Sequence, residues 1–171
     1  MSIIMRTMFI ISICLTLNLC SNKVEAQMLD VNEMVNAINE VRNSGCKCGK
    51  RYYQPVAKVT WNDTLYMSAE NYATYMSDTK FFAHVGPNGK NIGERVDKFG
   101  YDWQFIGENL GKGQKDIAEL IDDWKKSFTH CKLLMDPRFK EMGLAAIKGH
   151  WVLHLGKKNS KENIENTKSS K

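Results

Sequence analysis

Met142-Gly143-Leu144-Ala145-Ala146-Ile147-Lys148-Gly149-His150-Trp151-Val152-Leu153-His154-Leu155 decides the fold class. Two apolar runs, Met142 to Ile147 and His150 to Leu155, flank the Lys148-Gly149 pair, which is the pattern of a β-hairpin. Upstream, helical spacing dominates. Asp30 is placed to cap a first helix, with Glu33 three residues on in the manner of a capping box. Val31, Met34, Val35, Ile38 and Val41 then recur at helical intervals up to a stop at Gly45. Gly45 to Pro55 reads as a loop. A second helix follows Trp61, capped by Asn62 or Asp63, with Leu65, Ala69, Tyr72, Ala73 and Met76 as its buried stripe. Asn91 to Phe99 predicts a short helix, and Trp103 to Leu110 a short strand ended by Gly111 and Gly113. Ile117, Leu120, Ile121 and Trp124 mark another amphipathic helix, with Asp116 at its positive end. Strands that interleave with helices and end in a hairpin imply a mixed sheet covered on both faces. The expectation is an α+β fold, a three-layer α-β-α sandwich.

The ends of the chain read differently. Arg6, an apolar stretch from Met8 to Leu19 and Val24-Glu25-Ala26 before Gln27 make up a secretory signal peptide over residues 1–26. The apolar run is shorter than the roughly 20 residues that a membrane span needs. Cys20 raises lipid anchoring as a lesser alternative, although Leu19 is large where a bacterial lipobox takes a small residue. From Lys157 to Lys171 apolar residues almost vanish, predicting a disordered basic tail behind a domain of residues 27–156. The chain carries 24 Lys+Arg against 19 Asp+Glu, a net +5. Arg6, Lys23 and Glu25 belong to the leader, and the tail holds five Lys against two Glu, which leaves the domain at +1. A nearly neutral domain without a basic stripe predicts no nucleic-acid partner. Phosphate-loop, dinucleotide and paired Cys-x-x-Cys motifs are absent from the sequence. The expected location is secreted or periplasmic, with no transmembrane segment in the mature chain and a monomeric state.

Leader removal takes Cys14 and Cys20 and leaves Cys46, Cys48 and Cys131, an odd number that permits one bridge and one free thiol. Cys46 and Cys48 are too close in sequence to pair without strain, so one of the two bridges to Cys131. Four histidines are present. His84 follows the Phe81-Phe82 pair, and His130 follows the Trp124 helix. Glu108 sits in Ile106-Gly107-Glu108-Asn109-Leu110, a carboxylate among glycine and apolar residues that needs partners if buried. Two histidines and one carboxylate match the ligand set of an open Zn²⁺ site, although their spacing does not force them together. His154 alternates with Trp151, Leu153 and Leu155 and so points away from them. A partly exposed strand residue is expected, with a cleft-wall role as the sharper alternative. His150 is expected in the hairpin turn. Asn62-Asp63-Thr64 matches a glycosylation acceptor formally, but Asn62 reads as a helix cap.

A set of motifs in order carries a family resemblance. Phe81-Phe82-Ala83-His84 precedes a Gly-Pro-Asn-Gly turn. Gly93-Glu94-Arg95-Val96, Gly100-Tyr101, Gly107-Glu108-Asn109, Trp124 and His130-Cys131 follow. Phe139-Lys140-Glu141-Met142-Gly143 and Trp151-Val152 complete the series, and Cys48-Gly49 lies ahead of it. Together they resemble the CAP superfamily of cysteine-rich secretory, antigen 5 and pathogenesis-related proteins, and within it the small bacterial SCP-like extracellular branch. The likeness spans about residues 30 to 156.

The resemblance implies an α-β-α sandwich with a cleft that holds His84, Glu108 and His130 as ligands for a divalent metal such as Zn²⁺. It also implies a Cys48–Cys131 disulfide, with Cys46 free. Two departures stand out. The family's second acid falls where this chain has Lys125-Lys126-Ser127, so the four-residue set is reduced to three. The turn before the second histidine reads Ser127-Phe128-Thr129 in place of Ser-Pro-Gly. The expected function is a secreted, non-enzymatic binding module for a lipid, peptide or glycan. The rival is a metal-assisted hydrolase acting on peptides or cell-wall material. A fourth ligand or base near His84 and Glu108 discriminates between them, with Glu94, Ser127 and His154 as candidates.

Overall fold

The computed structural model describes residues 30–160. The expected signal peptide, Cys14, Cys20 and most of the expected basic tail lie outside the described residues. The elements are α1 (Val31–Ser44), β1 (Cys46–Cys48), β2 (Arg51–Tyr53), β3 (Thr60–Trp61), α2 (Asp63–Thr79), α3 (Ile92–Lys98), β4 (Trp103–Lys112), α4 (Ile117–Lys126), α5 (Phe128–Leu134), β5 (Glu141–Ile147) and β6 (His150–Lys158).

The C-terminal hairpin forms the middle of a four-stranded sheet of order β3-β5-β6-β4. β5 and β6 pair antiparallel from Glu141↔Gly156 to Ile147↔His150, and β4 pairs antiparallel along the other side of β6. Only the two-residue β3 runs parallel, against Glu141 and Met142. Alternation sends Met142, Leu144, Trp151, Leu153 and Leu155 into one layer with Met34 and Ile38 of α1, Leu120 and Trp124 of α4, and Leu134 of α5. It sends Ala145, Val152 and Leu110 to the opposite face, onto Ala69, Tyr72, Ala73 and Met76 of α2. Helices thus cover both faces of a mixed sheet, as an α+β sandwich requires.

Several local expectations are met, and several are corrected. Asn62 caps α2 by accepting from Leu65 N, and Asp116 caps α4 by accepting from Glu119 N. Asp30 caps α1 through Asn32 N, without the reciprocal contact from Glu33. The capping box is instead Asn91 with Glu94, at α3. β4 does not stop at Leu110. It passes through Gly111, where a Cβ would collide with the Leu120 side chain, so that glycine serves the approach of α4. β6 runs on to Lys158, two residues into the stretch that composition assigns to the tail. α5 and the β1–β2 ribbon have no counterpart in the sequence pattern: α5 is as short as α3 but lacks its side-chain cap, and the ribbon strands have three residues each.

Two devices hold the loops to this frame. Cys48 and Cys131 are bonded, which ties the β1 ribbon to α5, and Cys46 is a buried free thiol. The fully buried Arg42 of α1 donates to the carbonyls of Ala57, Leu134, Asp136 and Phe139. Burial lowers its pKa, and nearby Asp136 works against that shift.

Candidate functional site

The site is built on one row across the sheet. Gly143 of β5, His154 of β6 and Glu108 of β4 are successive register partners. They share the face covered by α2. Gly143 admits the helix backbone: a Cβ there would sit 2.5 Å from the Leu65 carbonyl carbon. His154, beside it, is fully buried and donates from Nε2 to Glu108 Oε2 at 3.0 Å. The expectation of a partly exposed strand histidine is therefore corrected. The edge strand β4 and the α2 layer close over it, so its imidazole lies inside the sheet–helix layer behind Glu108.

Glu108 is the centre of a network. Its side chain is 3% exposed. Oε1 accepts from His84 Nδ1 at 2.8 Å, and Oε2 accepts from Arg95 Nη2 at 2.6 Å as well as from His154. Burial alone pushes its pKa up. The hydrogen bonds from His154 and His84, with the charges of His154 and Arg95, outweigh burial and hold it at about 2. An ionised carboxylate only accepts, so His84 Nδ1 and His154 Nε2 carry the protons of these two bonds. Burial pulls His154 down toward its neutral form, against the opposing pull of Glu108.

Arg95 is the functional residue that sequence reasoning passed over, although it lies within the Gly-Glu-Arg-Val motif. Its Nη1 donates to the backbone carbonyls of His84 and Lys90, and its guanidinium lies 3.7 Å from the centre of the Tyr72 ring. Tyr72 in turn donates to Ala83 O. One cation therefore sets the His84 backbone, the turn after it and the Glu108 carboxylate. The His84 side chain itself is 56% exposed, and Nδ1 is the ring nitrogen engaged by Glu108.

His130 arrives by a different route. Alternation puts Asn109 on the face opposite Glu108, where it is buried and donates to the His130 carbonyl at 3.1 Å. Gly107 makes room for this packing, since a Cβ there would lie 2.8 Å from both Leu133 and Phe139. The Gly-Glu-Asn motif thus anchors one histidine on each side of the edge strand. Burial lowers the His130 pKa, with a further push from the charge of His84. His84 and Glu108 are joined, but among the described residues His130 is not closed into a cluster with them. Among the described residues, the one group of three ligating side chains whose donor atoms all lie within 4.8 Å is Cys46, Cys48 and Cys131. Of the three candidates for a fourth group, only His154 reaches Glu108. Glu94 is spent on the α3 cap, and Ser127 pairs with Thr129. His150 is not in the turn. It opens β6, is buried, and neither ring nitrogen has a partner.

With this arrangement in view, the comparison with known families is decisive. The model of the CAP, cysteine-rich secretory protein, family matches residues 35–153. The chain belongs to the CAP family. The CAP chain is 29% identical over 98 residues to the uncharacterized protein YkwD of Bacillus subtilis, covering 57% of this chain and 38% of YkwD. In fold it is similar to an extracellular SCP-domain protein of Bacillus anthracis, with TM-score 0.67 and 19% identity, over 74% of this chain and 40% of the other. It is also similar to an outer surface protein of Borrelia burgdorferi, with TM-score 0.65 and 19% identity, over 77% of this chain and 97% of that one. The CAP chain spans well under half the length of its Bacillus relatives. None of its described helices is long and apolar enough to cross a membrane.

Proposed function

We propose that this CAP chain is an extracytoplasmic, non-enzymatic binding module whose cleft lies at the β4 edge between His84 and His130. The observation that carries this reading is the state of Glu108. A general base or a metal-ligating carboxylate needs an accessible lone pair, and the Glu108 side chain is only 3% exposed, with its oxygens turned to His84, Arg95 and His154. Among the described residues no second carboxylate hydrogen-bonds to His84 or His154. The carboxylate is a positioning residue that fixes the His84 ring and leaves Nε2 free for a ligand.

The ligating atoms of His84, Glu108 and His130 do not fit a three-ligand metal site as placed. Of the three, His84 is the residue whose exposed ring could take up a divalent ion such as Zn²⁺ singly. Exposed Phe82 and Val85 flank His84, and an apolar rim beside an imidazole supports a lipid or apolar peptide over a glycan. The leader pattern and the extracellular and outer-surface relatives support export.

The test compares purified wild type and His84→Ala on peptide and cell-wall substrates, with and without Zn²⁺. No turnover above background is expected in either. Turnover that disappears with His84→Ala would replace this reading with the hydrolase. In Zn²⁺ titration His84→Ala should weaken binding at least tenfold, and equal affinity would remove the metal from the proposal.

A further inference from the structure

Three cysteine sulfurs meet where β1 packs on α5. Cys46 and Cys48 are two residues apart on a strand, so both side chains leave the same face. Both are buried, while Lys47 between them is exposed. Cys131 is buried against them on α5. The Cys48–Cys131 bridge leaves Cys46 as the thiol, and its Sγ lies 3.2 Å from the Cys131 Sγ. All three sulfurs lie within 4.8 Å of one another.

We propose that Cys46, Cys48 and Cys131 form an intramolecular thiol–disulfide exchange site, in which Cys46 can replace Cys48 as the partner of Cys131. The Cys46 thiolate attacks Cys131 Sγ, and a Cys46–Cys131 bond forms. The Cys48–Cys131 bond breaks, its electron pair leaves on Cys48 Sγ, and that sulfur takes up the proton that Cys46 gave up. One disulfide and one thiol stand on each side, so neither an oxidant nor a reductant is consumed.

The packing selects the sulfur that is attacked. Cys131 is the atom in contact with Cys46. Attack on Cys48 would instead join residues i and i+2 of one strand, whose Cα atoms lie about 6.5–7 Å apart, at the outer limit for a disulfide. Burial pushes the Cys46 thiol up, and Lys125 pulls it partway back, so the resting form keeps Cys46 protonated and the exchange slow. Burial also shields the trio from external thiols, which keeps the exchange internal. Cys131 directly follows His130, so the choice of β1 partner sets how the helix bearing that imidazole is tethered.

Tryptic mapping tests this, because cleavage at Lys47 puts Cys46 and Cys48 on different peptides. The full chain is held at mildly alkaline pH, sampled over hours, and denatured in acid with N-ethylmaleimide. Labelled Cys48 and a linked Cys46–Cys131 peptide should grow in together. Label confined to Cys46 among these three residues at every time would overturn the proposal. A second arm uses Cys48→Ser, refolded from the denatured, reduced chain in a glutathione redox buffer so that the sulfurs meet the oxidant before they are buried. A linked Cys46–Cys131 peptide is expected. A native circular dichroism spectrum with both of these thiols still unlinked would also overturn it. If Cys48→Ser does not fold, the wild-type time course decides alone.

Discussion

Glu108 and His154 sit directly opposite each other on β4 and β6, and the buried imidazole donates to the buried carboxylate at 3.0 Å. This bond, between residues 46 apart in sequence, joins β4 to β6 beneath the α2 layer. Removing the charge of Glu108 leaves Arg95 and two imidazoles facing a neutral amide. Glu108→Gln should therefore lose about 3–5 kcal/mol of unfolding free energy in urea, the cost of breaking a buried ion pair from one side. A change under about 1 kcal/mol would contradict this network.

Acid should unfold the domain in two stages. Burial holds His154 below its ordinary pKa, so the unfolded chain takes up that proton first, and stability falls as pH drops below about 6.5. Half-buried His130 is shifted the same way. Glu108 has a depressed folded pKa, so its contribution is complete above its ordinary 4.5 and is lost as pH falls toward about 2. That second stage is worth about 3 kcal/mol. Urea midpoints measured from pH 8 to pH 2 should show both, and His154→Gln should flatten the upper one.

Arg42 gathers four backbone carbonyls from the loops around β3 and α5. Arg42→Met fills much of the same space but leaves those carbonyls unpaired. The expected loss is about 3–5 kcal/mol, read by thermal or urea unfolding. A loss under about 1 kcal/mol would show that water satisfies the carbonyls equally well.

Gly143 lies against the α2 backbone with no space for a methyl group. Gly143→Ala should force α2 from the sheet and cost about 1–3 kcal/mol. It should also loosen His154, its register partner, visible as a shift of that imidazole's NMR resonances. Unchanged resonances with unchanged stability would refute the close approach.

The order of the main elements was legible because their signals are local. The alternation on either side of Lys148-Gly149 reads as a hairpin wherever it occurs, and the capping oxygens of Asn62 and Asp116 act within three residues. Short elements were legible only where a cap marked them. α3 and α5 both have seven residues, but Asn91 and Glu94 box the start of α3, whereas Ser127 makes no side-chain capping bond. Arg42 and Arg95 read as ordinary helix cations. What distinguishes them is a set of carbonyls and a carboxylate supplied by distant parts of the chain.

By itself, then, the sequence determined the α+β class, the helix caps, the hairpin and the family to which its ordered motifs belong. It also named His84 and Glu108. Only the tertiary structure decided that Glu108 is already spent on His84, Arg95 and His154. Only packing, likewise, set Cys46 against the sulfur of Cys131. The reason is physical. Periodicity and capping are short-range along the chain, whereas the His84–Glu108 and Cys46–Cys131 contacts join residues 24 and 85 positions apart. Their geometry comes from sheet register and helix packing, which no local stretch of sequence contains.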